Sequence, residues 1–257
     1  EPAALAAPAE FPASATSAPA SAPTRPAKRP KTAAPAAAVA WTLRLGACVD
    51  AAACLLDESR GLACSHAKQV ACFDPATGAV RWTARIGDAG DQSDVLEDAS
   101  IEATCVVSKG LAFVGSYDGC LYAISTEDGS VKWTYRCGGP IKRAAVIVDG
   151  DVVFGAHDRR VRRVDADGAL VWASDDLRGA VYASPVVAGS VVVAATTGGG
   201  AAHGLDVSTG ATVWRYRATR APIFARPTAA GDAVVFGDVA GACHCVAAAD
   251  GAGRWTV

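Results

Sequence analysis

The sequence predicts an all-β fold, a β-propeller of four-stranded antiparallel blades. Three observations lead there. The six tryptophans, Trp41, Trp82, Trp133, Trp172, Trp214 and Trp255, recur at intervals of 41, 51, 39, 42 and 41 residues. A glycine stands four residues before each of the last five: Gly78, Gly129, Gly168, Gly210 and Gly251. Short β-prone runs broken by Gly turns fill the space between them. A period near 41 marks a repeat architecture.

Residues 1–40 differ in kind from the repeat region. They hold 17 Ala and 8 of the chain's 13 Pro. Frequent Pro blocks helix and sheet, and few large side chains are present to offset ordering entropy. The segment reads as a disordered, flexible to semi-extended linker. Its basic run, Arg25-Pro-Ala-Lys28-Arg29-Pro-Lys31, reads as solvated linker, with a nuclear-import signal as the alternative.

The propeller is assigned to residues 41–257, opening on a lone strand at Trp41. Five units come after it, over residues 49–255. In the second, Ala103-Thr-Cys-Val-Val107, Leu111-Ala-Phe-Val114 and Leu121-Tyr-Ala-Ile124 are strands, with Asp118-Gly119 and Asp128-Gly129 as turns. In the third, Ala144-Ala-Val-Ile-Val148, Val152-Val-Phe-Gly155 and Val161-Arg-Arg-Val164 correspond. The Trp-bearing run supplies the fourth strand each time. A sheet of about 41 residues cannot bury both faces alone, whereas radial stacking buries them and protects edges. The Trp rings then fill the space between blades, and small Gly and Ala let the next sheet approach. The lone Trp41 strand is expected to complete a last blade. The five visible repeats would then be an incomplete, C-terminally truncated ring of seven.

Composition excludes several function classes. A net charge of -2 and pI near 6.1 give no general electrostatic attraction to nucleic acid or an anionic membrane. No apolar stretch approaches a membrane-spanning helix. The chain begins with Glu and has no Met, which leads us to expect a missing start. Nine scattered cysteines make poor material for a disulfide framework, so reduced thiols and a cytoplasmic location are expected.

A resemblance then emerges from particular residues. Ala183-Ser-Pro-Val-Val187 and Tyr122-Ala-Ile-Ser-Thr-Glu-Asp-Gly129-Ser-Val-Lys-Trp133 resemble the repeat of pyrroloquinoline quinone (PQQ), or quinoprotein-like, propellers. The opening Trp41-Thr-Leu-Arg-Leu-Gly-Ala-Cys-Val-Asp-Ala-Ala is similar to the C-terminal propeller of the beta-alanine-activating enzyme family, as are Phe113-Val-Gly-Ser-Tyr-Asp-Gly-Cys-Leu-Tyr122 and Phe154-Gly-Ala-His-Asp158. This resemblance implies a parent acid–thiol ligase: an AMP-forming adenylation domain, a phosphopantetheine carrier domain, then this propeller.

Quinone chemistry is not expected. Quinone-dependent dehydrogenases of that superfamily carry adjacent cysteines and a calcium site using Asn, and this chain has neither adjacent cysteines nor any Asn. There is no Gly-x-Ser-x-Gly elbow, and Gly198-Gly-Gly200 reads as a hairpin loop. Cys243-His244-Cys245 reads as buried thiols with an outward His, because side chains alternate along a strand. His66, Tyr117, His157 and Val239 share one slot after the second strand, and that mixed occupancy favours capping or packing over a metal ring. An insertion at residues 88–100, with Asp88, Asp91, Asp94, Glu97 and Asp98, reads as a solvated acidic loop without the calcium-loop pattern. No catalytic residue, cofactor or metal is therefore assigned.

One set of positions is more informative. Asp50, Glu102, Lys142, Tyr182 and Phe224 are each expected to open the first strand of a blade, after a Val or Ile, with Arg143 and Arg226 nearby. If the first strand of each blade is innermost, these seven ring one mouth of the central channel and could meet a polar ligand or peptide. A solvated rim is the plainer alternative. The function expected is a non-catalytic, monomeric scaffold that binds a protein or carrier-domain partner, with no nucleic acid or membrane partner. A free-standing scaffold resembling bacterial outer-membrane assembly lipoproteins is the alternative, and a quinone-dependent dehydrogenase the remote one.

Overall fold

The structure, a computed structural model, describes residues 40–87, 100–217 and 221–257. The linker, its basic run and the acidic residues of the 88–100 insertion lie outside these, apart from Ala40 and Ser100. The described residues form strands and turns, with no helix among them. Residues 40–257 make one compact unit.

Twenty strands form five sheets, each an antiparallel meander in sequence order. The first holds β1 (Cys54–Asp57), β2 (Arg60–Ser65), β3 (Gln69–Phe73) and β4 (Val80–Arg85). The second holds β5 (Val106–Ser108), β6 (Leu111–Gly115), β7 (Cys120–Ser125) and β8 (Val131–Arg136). The third holds β9 (Val146–Val148), β10 (Asp151–Gly155), β11 (Val161–Val164) and β12 (Leu170–Ala173). The fourth holds β13 (Val186–Ala188), β14 (Val191–Ala195), β15 (Ala202–Asp206) and β16 (Thr212–Tyr216). The fifth holds β17 (Thr228–Ala230), β18 (Ala233–Gly237), β19 (Cys243–Ala247) and β20 (Gly253–Thr256).

The second and third strands of each sheet are mostly buried, and apart from polar positions such as Arg162 and Arg163 of β11 and the histidines of β15 and β19 they are largely apolar. Strands buried on both faces need apolar partners above and below. Four cores meet that need, each joining consecutive sheets. Leu62 and Val70 of the first sheet meet Val114 and Ile124 of the second. Phe113 and Leu121 of the second meet Val152 and Phe154 of the third. Val153 and Val161 meet Val192 and Leu205, and Val193 and Ala202 meet Val234 and Phe236. From the second sheet to the fifth, the first strands of neighbouring sheets touch, which places them innermost.

Five of the six tryptophans obey one rule, Trp255 being the exception. Each ring lies on the turn glycine of the next blade: Trp41 on Gly78, Trp82 on Gly129, Trp133 on Gly168, Trp172 on Gly210 and Trp214 on Gly251. Each indole N–H donates to a carbonyl in that same turn, those of Pro75, Thr126, Ala166, Val207 and Ala248, at 2.8–3.2 Å. Gly78 has φ +73° and a methyl there would lie 2.6 Å from the Trp41 ring, so both backbone and space require glycine. The Trp and the Gly of one motif thus serve opposite interfaces. A bulge comes after the Trp pair in every sheet: Cys72↔Trp82, Ala123↔Trp133, Arg163↔Trp172, Gly204↔Trp214 and Cys245↔Trp255. Extra twist at a bulge re-aims a side chain, here toward the next blade.

Three expectations need correction. Trp41 is not in a strand, although its ring and N–H dock as the others do. Asp50, Glu102, Lys142, Tyr182 and Phe224 do not open the first strands but stand four residues before them, because the short inner strands begin only where neighbouring sheets meet. His244 does not point outward. It is 1 % exposed, since this face of β19 packs between blades against Tyr216 and Phe236. Its Nε2 stands 3.2 Å from Asp238 Oδ2 and its Nδ1 3.1 Å from Thr256 Oγ1, which satisfies both ring nitrogens.

Candidate functional site

Each blade is entered through a short connection ahead of its first strand. Its anchor is an aliphatic side chain: Ile101, Ile141, Val181 and Ile223 are at most 2 % exposed. Alternation along extended chain turns the next residue away from that core. In the first blade the anchor position is Val49, which is exposed. One hydrogen bond pins the connection in all five blades. The backbone N–H of His66, Tyr117, His157, Thr197 and Val239 donates to the carbonyl of Cys48, Ser100, Pro140, Ala180 and Pro222, at 2.9–3.1 Å. The fourth unit, which departs from the others in sequence at Thr196-Thr-Gly, keeps this bond. Gly198-Gly-Gly200 does lie in the hairpin connection between β14 and β15.

That bond sets the residue after the second strand beside the residue after the anchor. The result is a belt of side chains running across the blades. His66 Nε2 is 3.1 Å from Asp50 Oδ2, and donor atoms of Asp50, His66 and Glu102 lie within 4.8 Å of one another. The Tyr117 hydroxyl donates to Glu102. Lys142 Nζ sits 4.2 Å from the Tyr117 ring centroid and 5.7 Å from that of Tyr182. Arg143 donates to the Tyr182 hydroxyl at 3.0 Å. Tyr182 lies 5.8 Å from His157 and meets Phe224 edge-on at 5.1 Å.

All seven residues singled out in the sequence fall on this belt or beside it. Asp50, Glu102, Arg143 and Arg226 line a cavity of about 490 Å³, together with Thr104 and Ser184. Carboxylates therefore gather at the first two blades, and cations and aromatic rings at the third to fifth. Tyr117, His66 and His157 belong to the belt although their mixed identities argued for plain capping. The available signal was positional: one residue per repeat, always in the same slot. Cys48 was missed, and nothing in its spacing singles it out.

The electrostatics of the belt follow from its contacts. The Cys48 thiol, 3.0 Å from Asp50 Oδ1, holds that carboxyl below its usual value, and His66 and Arg143 add to the effect. In return Asp50 pushes the Cys48 thiol up, away from the thiolate a nucleophile needs. Burial, then Lys142, lower the His157 pKa, so it carries no charge near neutrality. Asp158 and Arg162 form a half-buried pair at 2.5 Å on the neighbouring turn. Tyr122 donates to Asp118 at the equivalent place in the second blade, which marks this as a structural device.

Solved structures share this architecture. That of BamB from Moraxella catarrhalis aligns with a TM-score of 0.72 and 20 % identity, over 86 % of this chain and 67 % of that one. The computationally designed Ika8 protein aligns with a TM-score of 0.60 and 18 % identity, over 79 % of this chain and 57 % of that one. At these identities both show the fold alone. No curated protein matches the sequence. The family model described as "Beta-alanine-activating enzyme, beta-propeller" matches residues 45–257, nearly the whole repeat region, and the chain belongs to that family.

Proposed function

We propose that this propeller is a non-catalytic interaction domain of an AMP-forming acyl-activating enzyme, and that the belt is where it receives a protein or carrier-domain partner. One observation supports the reading: equivalent positions, far apart in sequence, stand beside one another from blade to blade as a charged and aromatic belt. Aromatic and Arg side chains are the usual anchors of protein contacts. Membership in the beta-alanine-activating enzyme propeller family supports the identity of the parent enzyme. An Ala/Pro-rich tether would raise the effective concentration of a partner on the same chain. The near-neutral charge favours neither nucleic acid nor a membrane surface, and nine unpaired cysteines fit a reducing cytoplasm.

Titration calorimetry with a phosphopantetheine-loaded carrier domain tests this. The Lys142→Ala/Arg143→Ala variant should bind roughly tenfold or more weakly, the loss expected of central contacts. Equal affinity for both proteins would remove the belt as the docking surface.

A further inference from the structure

The acidic end of the belt holds an arrangement that partner docking does not need. Asp50 and His66 come from the first blade and Glu102 from the second, and their donor atoms lie within 4.8 Å of one another. His66 Nε2 is buried and only 3.1 Å from Asp50 Oδ2, yet no aligned hydrogen bond forms. Close approach without alignment is what two ligands of one ion show. Donors about 2.0–2.1 Å from a tetrahedral zinc-type ion stand roughly 3.3 Å apart. The exposed Asp50 side chain has freedom to bring the wider contacts toward that value.

The surroundings support coordination. Tyr117 donates to Glu102, which orients the carboxylate as an outer partner does. The His66 backbone is held by the Cys48 carbonyl. The Cys48 thiol lies beside the cluster, 3.0 Å from Asp50 Oδ1. Lys142 rests on the Tyr117 ring and Arg143 donates to the Tyr182 hydroxyl, while Arg143 and Arg226 share the cavity with Asp50 and Glu102. We propose that Asp50, His66 and Glu102 bind one divalent transition ion of the zinc type, with Cys48 as fourth donor. One imidazole, one thiol and two carboxylates suit such an ion, whereas calcium and magnesium take oxygen alone. The thiol would release its proton to solvent on binding. Repetition elsewhere is precluded by chemistry: the corresponding pairs are His157 with Lys142, Thr197 with Tyr182, and Val239 with Phe224. The belt therefore offers one such site among the described residues, and its ion would stitch the first blade to the second.

The test uses the full chain after removal of metals with a chelator. Zinc titration by calorimetry should show one site, and cobalt in its place should give visible absorption with a sulfur-to-metal band. His66→Gln and Glu102→Gln should each weaken zinc binding at least about tenfold. Cys48→Ser should abolish the sulfur band. Zinc should raise the melting temperature of the wild-type chain but not that of His66→Gln, whose metal-free melting temperature should match wild type. No binding by the wild-type chain at micromolar zinc would overturn the proposal. So would binding that survives both His66→Gln and Glu102→Gln, because it would then belong to the other cysteines. Neither result bears on carrier-domain docking, which is read through Lys142 and Arg143.

Discussion

His203 shows how one residue can carry an acid sensitivity for the whole chain. It lies on β15, 3 % exposed, with Nε2 buried and unpartnered. Burial, then Arg215 and Arg217, lower its pKa from 6.5 to about 4. The unfolded chain takes up this proton near pH 6.5, the folded chain only near pH 4. Between those values the unfolded state holds more protons, so stability falls as pH falls. The full effect is on the order of 3 kcal/mol. Chemical denaturation at pH 7 and pH 4.5 should show most of that loss in the wild-type chain and a flatter response in His203→Leu. An equally steep loss in the variant would place the sensitivity elsewhere. None of this is legible from sequence, where His203 is one His in an Ala- and Gly-rich run. Its environment is made only on folding, by burial and by β16, whose Arg215 stands opposite it in the register. Asp50, His66 and Glu102 are alike in this respect: periodicity identified their slots, but contact across a blade boundary needs the twist and spacing of folded sheets.

At the scale of the element, most of the fold was legible, because each blade repeats its signals five times. The Trp and Gly positions gave the period, the Gly turns gave the hairpins, and the strands fell close to the β-prone runs. Pattern alone did not tell which Gly serves which Trp. The structure links each ring to the turn of the next blade, which makes a contrast between two chemically identical positions. Trp172 is 6 % exposed, donates to the Val207 carbonyl and covers Gly210. Trp255 is 46 % exposed on a strand exposed along its length. Trp172→Ala should therefore destabilise by about 3–5 kcal/mol, and Trp255→Ala by less than about 1 kcal/mol. Gly210→Ala should act like the former in direction. Its methyl would stand 2.4 Å from the Trp172 ring at φ +73°, and overpacking combined with positive φ costs roughly 2 kcal/mol or more. Urea denaturation of the three variants checks the ranking. Equal losses at Trp172 and Trp255 would contradict the docking rule.

Across the whole molecule the docking rule singles out one ring without a receptor among the described residues. Four cores join five consecutive sheets, and every described turn glycine of the motif already carries a ring. Among the described residues Trp255 therefore finds no vacant turn glycine of the motif, nor would those of a second copy offer one unless Trp41 leaves Gly78. The partner that fits is a further blade, offering a glycine at positive φ and a turn carbonyl for the indole N–H. Periodicity could not decide this, because every interior repeat looks the same whether the ring has five blades or more. Fusing a second copy of residues 217–257 after Val257 continues the repeat in register, since Trp214 and Trp255 hold equivalent positions. The added turn would then face Trp255 as Gly251 faces Trp214. Trp255 emission, isolated by difference against Trp255→Phe, should shift to the blue in the fusion, and its oxidation by N-bromosuccinimide should slow. The melting temperature should rise as a fifth inter-blade core forms, because stability in stacked repeats grows with each interface. If Trp255 stays as solvent-accessible in the fusion as in the parent chain, the rule that governs the five docked rings does not extend to the sixth.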